Sequence, residues 1–170
     1  MVILPTEYLD RGIRLDRTKY NVDKDTQDRS CDGIVFDSIL EMRYYRDVLR
    51  PLVESGRVVE YELQKPYELQ PKFIRDGRTV HAITYVADFY MVFDDGSVKL
   101  VDVKGCPDST AILKRKLFWY RYPHVDYEWV GFVKKFGGWL PYEQIKKMRA
   151  AEKAAKQKES KEDISDVYQG

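Results

Sequence analysis

Two aspartates and one lysine lie inside sequence runs that predict neighbouring β-strands. Asp88 interrupts the apolar run TYVADFYMV, and Asp102 and Lys104 lie two residues apart in KLVDVKG. Residues two apart on a strand share one face of the sheet, so Asp102 and Lys104 should point the same way. Charged side chains inside such apolar strands are costly unless they are paired or coordinate a cation. The pattern favours a metal-binding or catalytic role over a solvated sheet surface.

The turn between these two strands decides whether the aspartates meet. If residues 94–96 form a three-residue loop with Gly96 in a left-handed conformation, the register brings Asp88 directly opposite Asp102. Opposed carboxylates repel each other, and a divalent cation relieves this repulsion. Mg²⁺ suits oxygen ligands and commonly takes one or two carboxylates together with several waters. A two-residue turn would instead place the acids on opposite faces, as surface charges of an interaction scaffold.

Glu41 is a third candidate ligand, on a helix predicted to begin at Ser38. Helical spacing in SILEMRYYRDVLRPLVESG places Glu41 beside the inward-facing stripe, from which it can point toward the sheet. The residues SILE also fit a capping box, in which Glu41 would bond back to the backbone at Ser38. Both interpretations stay open on local sequence. Pro51 should kink or split this helix, and Gly56 is a plausible C-terminal cap.

Hydrophobic patterns along the chain predict one mixed α/β domain. The predicted order is the helix from Ser38, three strands in an antiparallel meander, a second helix and a fourth strand. We therefore expect a central mixed β-sheet flanked by helices, followed by a C-terminal helix. The expected organisation is an N-terminal arm over residues 1–30, a folded domain over residues 31–140, and a basic helix with an acidic tail over residues 141–170.

Composition argues against several other classes of protein. With 170 residues, 44% of them hydrophobic and 34% charged, the chain suits a single folded domain and is unlike a disordered protein. Cys31 and Cys106 cannot form a disulfide framework, and neither His81 nor His124 has a nucleophile partner suited to covalent catalysis. No apolar stretch approaches the roughly 18–20 residues that cross a bilayer. We therefore expect a cytoplasmic protein without a membrane partner.

Basic charge is concentrated in the C-terminal third of the chain. Residues 106–158 contain 12 lysines and arginines against five acidic residues. Lys114, Arg115 and Lys116 begin the helix after the Asp102 strand, close enough to contact a DNA backbone without reading its sequence. The competing explanation is a solvated helix surface. The apolar face of this helix is predicted to consist of four side chains: Ile112, Leu113, Leu117 and Tyr120.

A helix that carries Glu, followed by Asp on one strand and Asp-x-Lys on the next, resembles the PD-(D/E)xK nuclease superfamily. The chain is more specifically similar to a phage-encoded family of small endonuclease-like proteins akin to Holliday-junction resolvases. The similarity covers about residues 19–130 and runs through six blocks in the same order: KYN, DGIVFDSILE, LQKPYELQPKF, AITYVADF, VDVKG and LKRKLFWYRYP. Ala87 stands where the superfamily name implies proline, and the acid after it is retained.

This resemblance implies a restriction-endonuclease-like core and metal-assisted hydrolysis of DNA phosphodiesters. Lys104 would orient the attacking water and offset developing negative charge. One or two Mg²⁺ ions, with Mn²⁺ as a substitute, would be held by four groups: Glu41, Asp88, Asp102 and the backbone carbonyl of Val103. Gln64 is a further candidate for orienting the water or a phosphate, although its amide would equally satisfy a backbone group on an edge strand.

Several partners follow from the same resemblance. The substrate would be DNA, with branched DNA as the natural expectation, and symmetrical cutting of two strands would need a homodimer. Phage replication, recombination or packaging proteins are candidate partners in the host cytoplasm. The alternative is a catalytically inactive DNA-binding or assembly module that retains the nuclease fold and contacts its partner through the lysine-rich segment 141–158.

Overall fold

The computed structural model describes the backbone of residues 27–167 and the side chains of residues 27–158. The predicted N-terminal arm therefore lies outside the described residues as far as residue 26. The KYN block and the last three residues of the predicted tail lie outside them as well.

The described part of the chain contains nine strands and four α-helices. The strands are β1 (Ser30–Cys31), β2 (Ile34–Val35), β3 (Val58–Gln70), β4 (Phe73–Arg75), β5 (Arg78–Val80), β6 (Ile83–Phe93), β7 (Val98–Val103), β8 (Asp126–Val133) and β9 (Gly138–Pro141). The helices are α1 (Ile39–Tyr44), α2 (Arg50–Glu54), α3 (Ser109–Arg121) and α4 (Tyr142–Val167), with a π-helical segment at Tyr45–Leu49 and 3₁₀ turns at Gln27–Arg29 and Lys134–Phe136.

A five-stranded sheet forms the centre of the domain, in the order β3-β6-β7-β8-β9. Strands β3, β6 and β7 form the predicted antiparallel meander, while β7 and β8 are parallel and α3 connects them. Two parallel strands need a crossover connection of this kind, because a tight turn reverses the chain direction and therefore joins antiparallel strands. The predicted mixed sheet flanked by helices is therefore confirmed. The short strand β9 and the small β4–β5 hairpin were not predicted.

The first helix is interrupted where the proline predicts a break. The backbone N–H of Arg50 bonds to the carbonyl of Tyr45, five residues back, which marks the π-helical segment before α2. Pro51 follows directly and has no N–H to donate, so the regular helical ladder cannot continue through it. Gly56 ends the helical region with a left-handed φ of 73°. The predicted split and the glycine terminus are both confirmed.

Helix α3 buries a different face from the one predicted. Leu113 and Tyr120 are 57% and 87% exposed, whereas Phe118 is completely buried. Phe118 lies within 5.6 Å, ring centre to ring centre, of four tyrosines that β3, β6, β8 and the end of α3 contribute: Tyr67, Tyr85, Tyr122 and Tyr127. Leu117 packs against this cluster as predicted, but the prediction was wrong for Ile112, Leu113 and Tyr120, because the aromatic cluster of the sheet determines which side of α3 faces inward.

Helix α4 begins one residue after Pro141, where the sequence predicts it. Ile145 is its buried anchor and lies against β8. None of the described helices is long and apolar enough to span a membrane.

Gly131 on β8 allows α4 and the end of β7 to approach closely. A Cβ at this position would lie 2.9 Å from Cδ1 of Ile145 and 3.0 Å from the carbonyl oxygen of Lys104. Because the backbone oxygen cannot move without shifting β7, we expect Gly131→Ala to lower the free energy of unfolding by about 1–3 kcal/mol in urea denaturation. Gly105→Ala is the control, since its Cβ would lie 3.5 Å from Leu40. Equal stability of the two variants would contradict this account.

Candidate active site

The turn between β6 and β7 has the predicted three-residue loop. The backbone N–H of Phe93 donates to the carbonyl of Ser97 over 2.9 Å, which closes residues 94–96 into the loop. Gly96 has a φ of 81°, a left-handed conformation that glycine adopts without steric cost. The three-residue prediction is therefore confirmed, and the two-residue turn that would have separated the aspartates is wrong.

The two aspartates lie at the point where β6 and β7 cease to pair. The register runs as far as Phe89 opposite Val101, and one step further along both strands leads to Asp88 and Asp102. There the ladder ends, and the backbone N–H of Val103 instead donates to Oδ2 of Asp88 over 2.8 Å. The Asp88 carboxylate thus accepts a hydrogen bond from a β7 backbone N–H that would otherwise go to a backbone carbonyl of the neighbouring strand.

Asp102 is fully buried, and its two oxygens have different surroundings. Oδ2 accepts a hydrogen bond from the Tyr85 hydroxyl, forms an ion pair of 2.9 Å with Nζ of Lys104, and lies 3.5 Å from the Tyr127 hydroxyl. Oδ1 is equally buried and receives no N–H or O–H donor within the described part of the chain. A buried oxygen of this kind is what a cation or a shared proton would satisfy.

Glu41 serves both as a helix cap and as a member of the site. Its backbone N–H donates to Oγ of Ser38 over 3.1 Å, which is one half of the predicted capping box. Its carboxylate accepts from the Ser38 hydroxyl at 2.7 Å through Oε1, instead of from the backbone of Ser38. Oε2 faces the site and accepts from Gln64. The two interpretations of Glu41 are therefore compatible, because its two oxygens point in different directions.

Gln64 bridges two of the acids. Its Nε2 donates to Oε2 of Glu41 over 3.2 Å and to Oδ1 of Asp88 over 3.3 Å. The backbone of Gln64 has a φ of 53° inside β3, a left-handed conformation that costs a non-glycine residue free energy. The predicted site residue is thus brought to the acids by a local distortion of the strand. The amide N–H groups of Gln64 stabilise the two carboxylates by hydrogen bonding, but they carry no positive charge.

The site contains three carboxyl groups and one basic side chain, Lys104. Burial raises the pKa of Asp88 well above its usual range, and the neighbouring Asp102 and Glu41 raise it further. Burial lowers the pKa of Lys104, but the carboxylates of Asp102 and Asp88 outweigh that effect and raise it, so this side chain remains an ammonium. Three acids therefore compete for one cation.

Burial raises the pKa of Glu41 to about 7, against a usual value of 4.5, despite the Ser38 hydrogen bond. Ionising a carboxyl group whose pKa is raised by folding destabilises the fold, so wild-type stability should fall as pH rises from 4.5 to about 7. We expect metal-free Glu41→Gln to be more stable than wild type at pH 8, by up to about 3 kcal/mol, and equal to it below pH 4.5.

Urea denaturation in EDTA at several pH values measures this difference. Glu54→Gln is the matched control, because Glu54 is exposed and forms a surface ion pair with Arg50 at 3.6 Å. A stability difference for Glu41→Gln that does not change with pH would contradict the assignment of a buried, charged Glu41.

The donors present suit a hard cation such as Mg²⁺. Asp88 and Asp102 come directly after the end of the β6–β7 ladder, one on each strand, and two carboxylates completed by waters are a common Mg²⁺ environment. Within residues 27–158, no three His, Cys, Asp or Glu side chains are already arranged around one point as a metal site. The Gln64 amide donates to both Glu41 and Asp88. The carbonyl of Val103 stays a predicted ligand.

The three basic residues of α3 have different surroundings. Lys114 donates to the carbonyl of Thr84 over 2.8 Å and lines a cleft of about 430 Å³ that Lys104 also lines. Arg115 stacks on Trp129 at 3.9 Å from the ring centre and pairs with Glu143, so its charge is used within the domain. The Lys116 side chain is exposed. Of the three, Lys114 shares the cleft with the acid-bound Lys104.

Sequence reasoning missed Tyr85 and Tyr127, whose hydroxyl groups are buried beside Asp102. Burial is the first cause of a raised pKa for both phenols, and the Asp102 charge adds to it, so both keep their protons. No sequence motif distinguishes them from the other aromatic residues of the chain. A buried tyrosine hydroxyl needs a partner that phenylalanine does not, and this is the signal that would have singled them out.

The fold and the site define a small mixed α/β protein in which two buried aspartates and a half-buried lysine lie where the inner strands β6 and β7 cease to pair. The chain belongs to a protein family of unknown function, DUF1064, whose family model matches residues 17–138. That range contains every candidate site residue from Glu41 to Lys116. No curated protein matches the chain.

Proposed function

We propose that this protein is a Mg²⁺-dependent DNA endonuclease of the PD-(D/E)xK type. The observation that carries the proposal is the state of Asp102, which is fully buried against Asp88, bound through Oδ2 to Lys104, and without a donor at Oδ1. Such a cluster is electrostatically unfavourable in the absence of a cation, and a divalent ion supplies the missing positive charge. The resemblance of the sequence to the nuclease superfamily supports the same assignment.

Asp88 and Asp102 would hold the ion, with the carbonyl of Val103 and the carboxylate of Glu41 as additional ligands. A bound Mg²⁺, or Mn²⁺ in its place, polarises a phosphate oxygen and lowers the pKa of a coordinated water. One or two ions are compatible with this donor set. The orphaned buried oxygen of Asp102 is the position at which the first ion fits the residues present.

Lys104 carries out the part of the reaction that needs a fixed positive charge. Its ammonium, 2.9 Å from Asp102, can orient the attacking water and offset the negative charge that develops on the phosphate. The water oxygen forms a bond to phosphorus, a bridging P–O bond breaks, and the departing sugar oxygen takes a proton from solvent. The proton lost by the water passes to solvent or to a site carboxylate. No covalent enzyme intermediate is required.

The cleft beside the site offers a path for a DNA strand. It lies between the first residues of β6 and the N-terminal half of α3, and the ammonium groups of Lys104 and Lys114 both line it. Contacts to phosphate position a duplex or a single strand without reading its sequence. We therefore expect cleavage that depends on DNA structure more than on sequence, with branched DNA as the first substrate to test.

The remaining proposals concern the cellular setting. A phage-type endonuclease of this kind would act in the host cytoplasm during recombination, replication or packaging. Symmetrical cutting of a four-way junction would require a homodimer, since one site cuts one strand at a time.

The second candidate is an inactive module that keeps the nuclease fold and binds DNA or a phage protein. The observation that favours it is the internal compensation of the acids, in which Lys104 pairs with Asp102 and Gln64 bridges Glu41 and Asp88. A cluster neutralised in this way has less need of an ion. The two candidates differ in whether a divalent cation binds, and in whether DNA binding depends on it.

One experiment separates these candidates. Supercoiled plasmid, a four-way junction and single-stranded DNA are incubated with the protein in Mg²⁺, Mn²⁺ or EDTA, and the products are resolved on denaturing gels. The nuclease proposal predicts cleavage of at least one substrate with metal and none in EDTA. Failure to cleave any of them, combined with equal DNA binding with and without metal, would support the inactive module instead.

A further inference from the structure

A directional chain of hydrogen bonds ends at Asp102. The indole N–H of Trp129 donates to the hydroxyl oxygen of Tyr127. The hydroxyl groups of Tyr127 and Tyr85 are bonded to each other, and Tyr85 donates to Oδ2 of Asp102. An indole nitrogen can only donate and an ionised carboxylate can only accept. The direction of the intervening bonds is therefore determined, and each hydroxyl accepts on the indole side and donates toward the carboxylate.

This chain determines which oxygen of Asp102 is available. Tyr85 and Lys104 both bind Oδ2, and the Tyr127 hydroxyl lies 3.5 Å from the same atom. These bonds fix the orientation of the carboxylate, because turning it away would break the bonds to Tyr85 and Lys104 together. Oδ1 is therefore held in one position, buried and without a donor.

We propose that Tyr85 is a positioning residue that presents Oδ1 of Asp102 to a divalent cation, with Tyr127 and Trp129 holding the Tyr85 hydroxyl in place. The inference rests on the proposed function in that it takes the site to bind a cation, but it does not require that DNA is cut. Hydrogen bonds to ligating carboxylates orient the ligand, and their loss typically costs 10–100-fold in metal affinity or activity.

Phenylalanine at position 85 removes one oxygen and keeps the ring. The Tyr85 ring packs at 5.6 Å from Phe118 and at 5.4 Å from Tyr127, contacts that phenylalanine retains. The matched control is Tyr122→Phe. The Tyr122 ring packs on the same Phe118 at 5.0 Å, but its hydroxyl donates to the carbonyl of Glu68, away from the acids.

Calorimetric titration of the full-length, metal-free protein with Mn²⁺, in the absence of DNA, tests the inference. We expect Tyr85→Phe to bind Mn²⁺ about tenfold more weakly than wild type, and Tyr122→Phe to match wild type. Tyr127→Phe should show a smaller loss, since Tyr85 keeps its own bond to Asp102. This second variant carries the test if Tyr85→Phe does not fold, as judged by thermal denaturation.

Three results would overturn the positioning role. They are Mn²⁺ affinity in Tyr85→Phe within twofold of wild type, an equal loss in Tyr122→Phe, and absence of Mn²⁺ binding by wild type. Wild-type protein that binds Mn²⁺ but cuts no DNA would reject the nuclease proposal, and a selective loss in Tyr85→Phe would still support the positioning role. The two proposals can therefore fail separately.

Discussion

Replacing Asp102 by asparagine is expected to lower the rate of DNA cleavage by at least about a thousandfold. Asparagine has the same shape and can still accept from Tyr85, but it loses the negative charge that pairs with Lys104 and that would hold the proposed cation. Removing one charged ligand from a buried metal site forfeits several kcal/mol of transition-state stabilisation, and about 4 kcal/mol corresponds to a thousandfold in rate. Single-turnover cleavage in Mg²⁺, with protein in excess over end-labelled DNA, measures the loss.

Asp95→Asn is the matched control for this variant. Asp95 lies in the exposed turn between β6 and β7, where its carboxylate accepts from the backbone N–H of Ser97 over 2.9 Å. Asparagine keeps that acceptor, so full activity is expected. Cleavage that survives Asp102→Asn at the wild-type rate would indicate a contaminating nuclease or a different active site, and in either case the assignment of Asp102 would be wrong.

The second large effect is a reversal of thermal stability in Asp88→Asn when metal is added. Folding raises the pKa of Asp88, so ionising this group costs free energy of folding at pH 8. In EDTA we expect the asparagine variant to melt about 2–8 °C above wild type. With Mn²⁺ at about 100 times its dissociation constant, wild type should gain roughly 5–10 °C and the variant almost nothing.

Differential scanning fluorimetry at pH 8, with and without Mn²⁺, checks both halves of this prediction. Asp126→Asn serves as the control, because Asp126 is an exposed residue at the start of β8. A lower melting temperature of Asp88→Asn in EDTA would show that the carboxylate stabilises the metal-free fold. An equal Mn²⁺ shift in variant and wild type would place the cation elsewhere.

Much of the sheet was predictable because each local signal agreed with the tertiary structure. The runs that became β3, β6 and β7 are rich in β-branched and aromatic residues and are separated by turn residues. A left-handed Gly96 in a three-residue loop was one of two turns open on sequence, and it is the one that sets the observed register. Pro51 likewise predicted the interrupted helix. In both cases the residue type has a distinctive backbone preference: glycine adopts a positive φ without steric cost, and proline fixes φ and has no N–H to donate.

The face of α3 was not predictable, since it depends on which partner the helix meets. The exposed Leu113 and Tyr120 are as apolar as the residues that were buried, and only the aromatic cluster around Phe118 distinguishes them. Arg115 illustrates the same limit. A basic residue after an active-site strand suggests a phosphate contact, but here it stacks on Trp129 and pairs with Glu143 across to α4.

The candidate site was predictable where strand register controls it and not where it depends on longer-range packing. Asp88, Asp102 and Lys104 follow from alternation and the turn. Gln64 was singled out among the polar residues of β3, but its left-handed backbone, which aims the amide between two acids, has no local signal. The tyrosine at position 85 bonds to an acid 17 residues away. Such a contact follows only from the assembled sheet.

Iron-directed cleavage of the polypeptide would locate the cation most directly. Fe²⁺ lies beside Mn²⁺ in the order of divalent affinities, and with ascorbate and peroxide it generates radicals that cut the backbone where it is bound. If the cation binds at the proposed site, the backbone is cut next to Asp88 and Asp102. Excess Mg²⁺ should suppress these cuts, and Asp102→Asn should remove them. Cuts at other positions only, or cuts that neither Mg²⁺ nor the substitution affects, would contradict a cation at these two carboxylates.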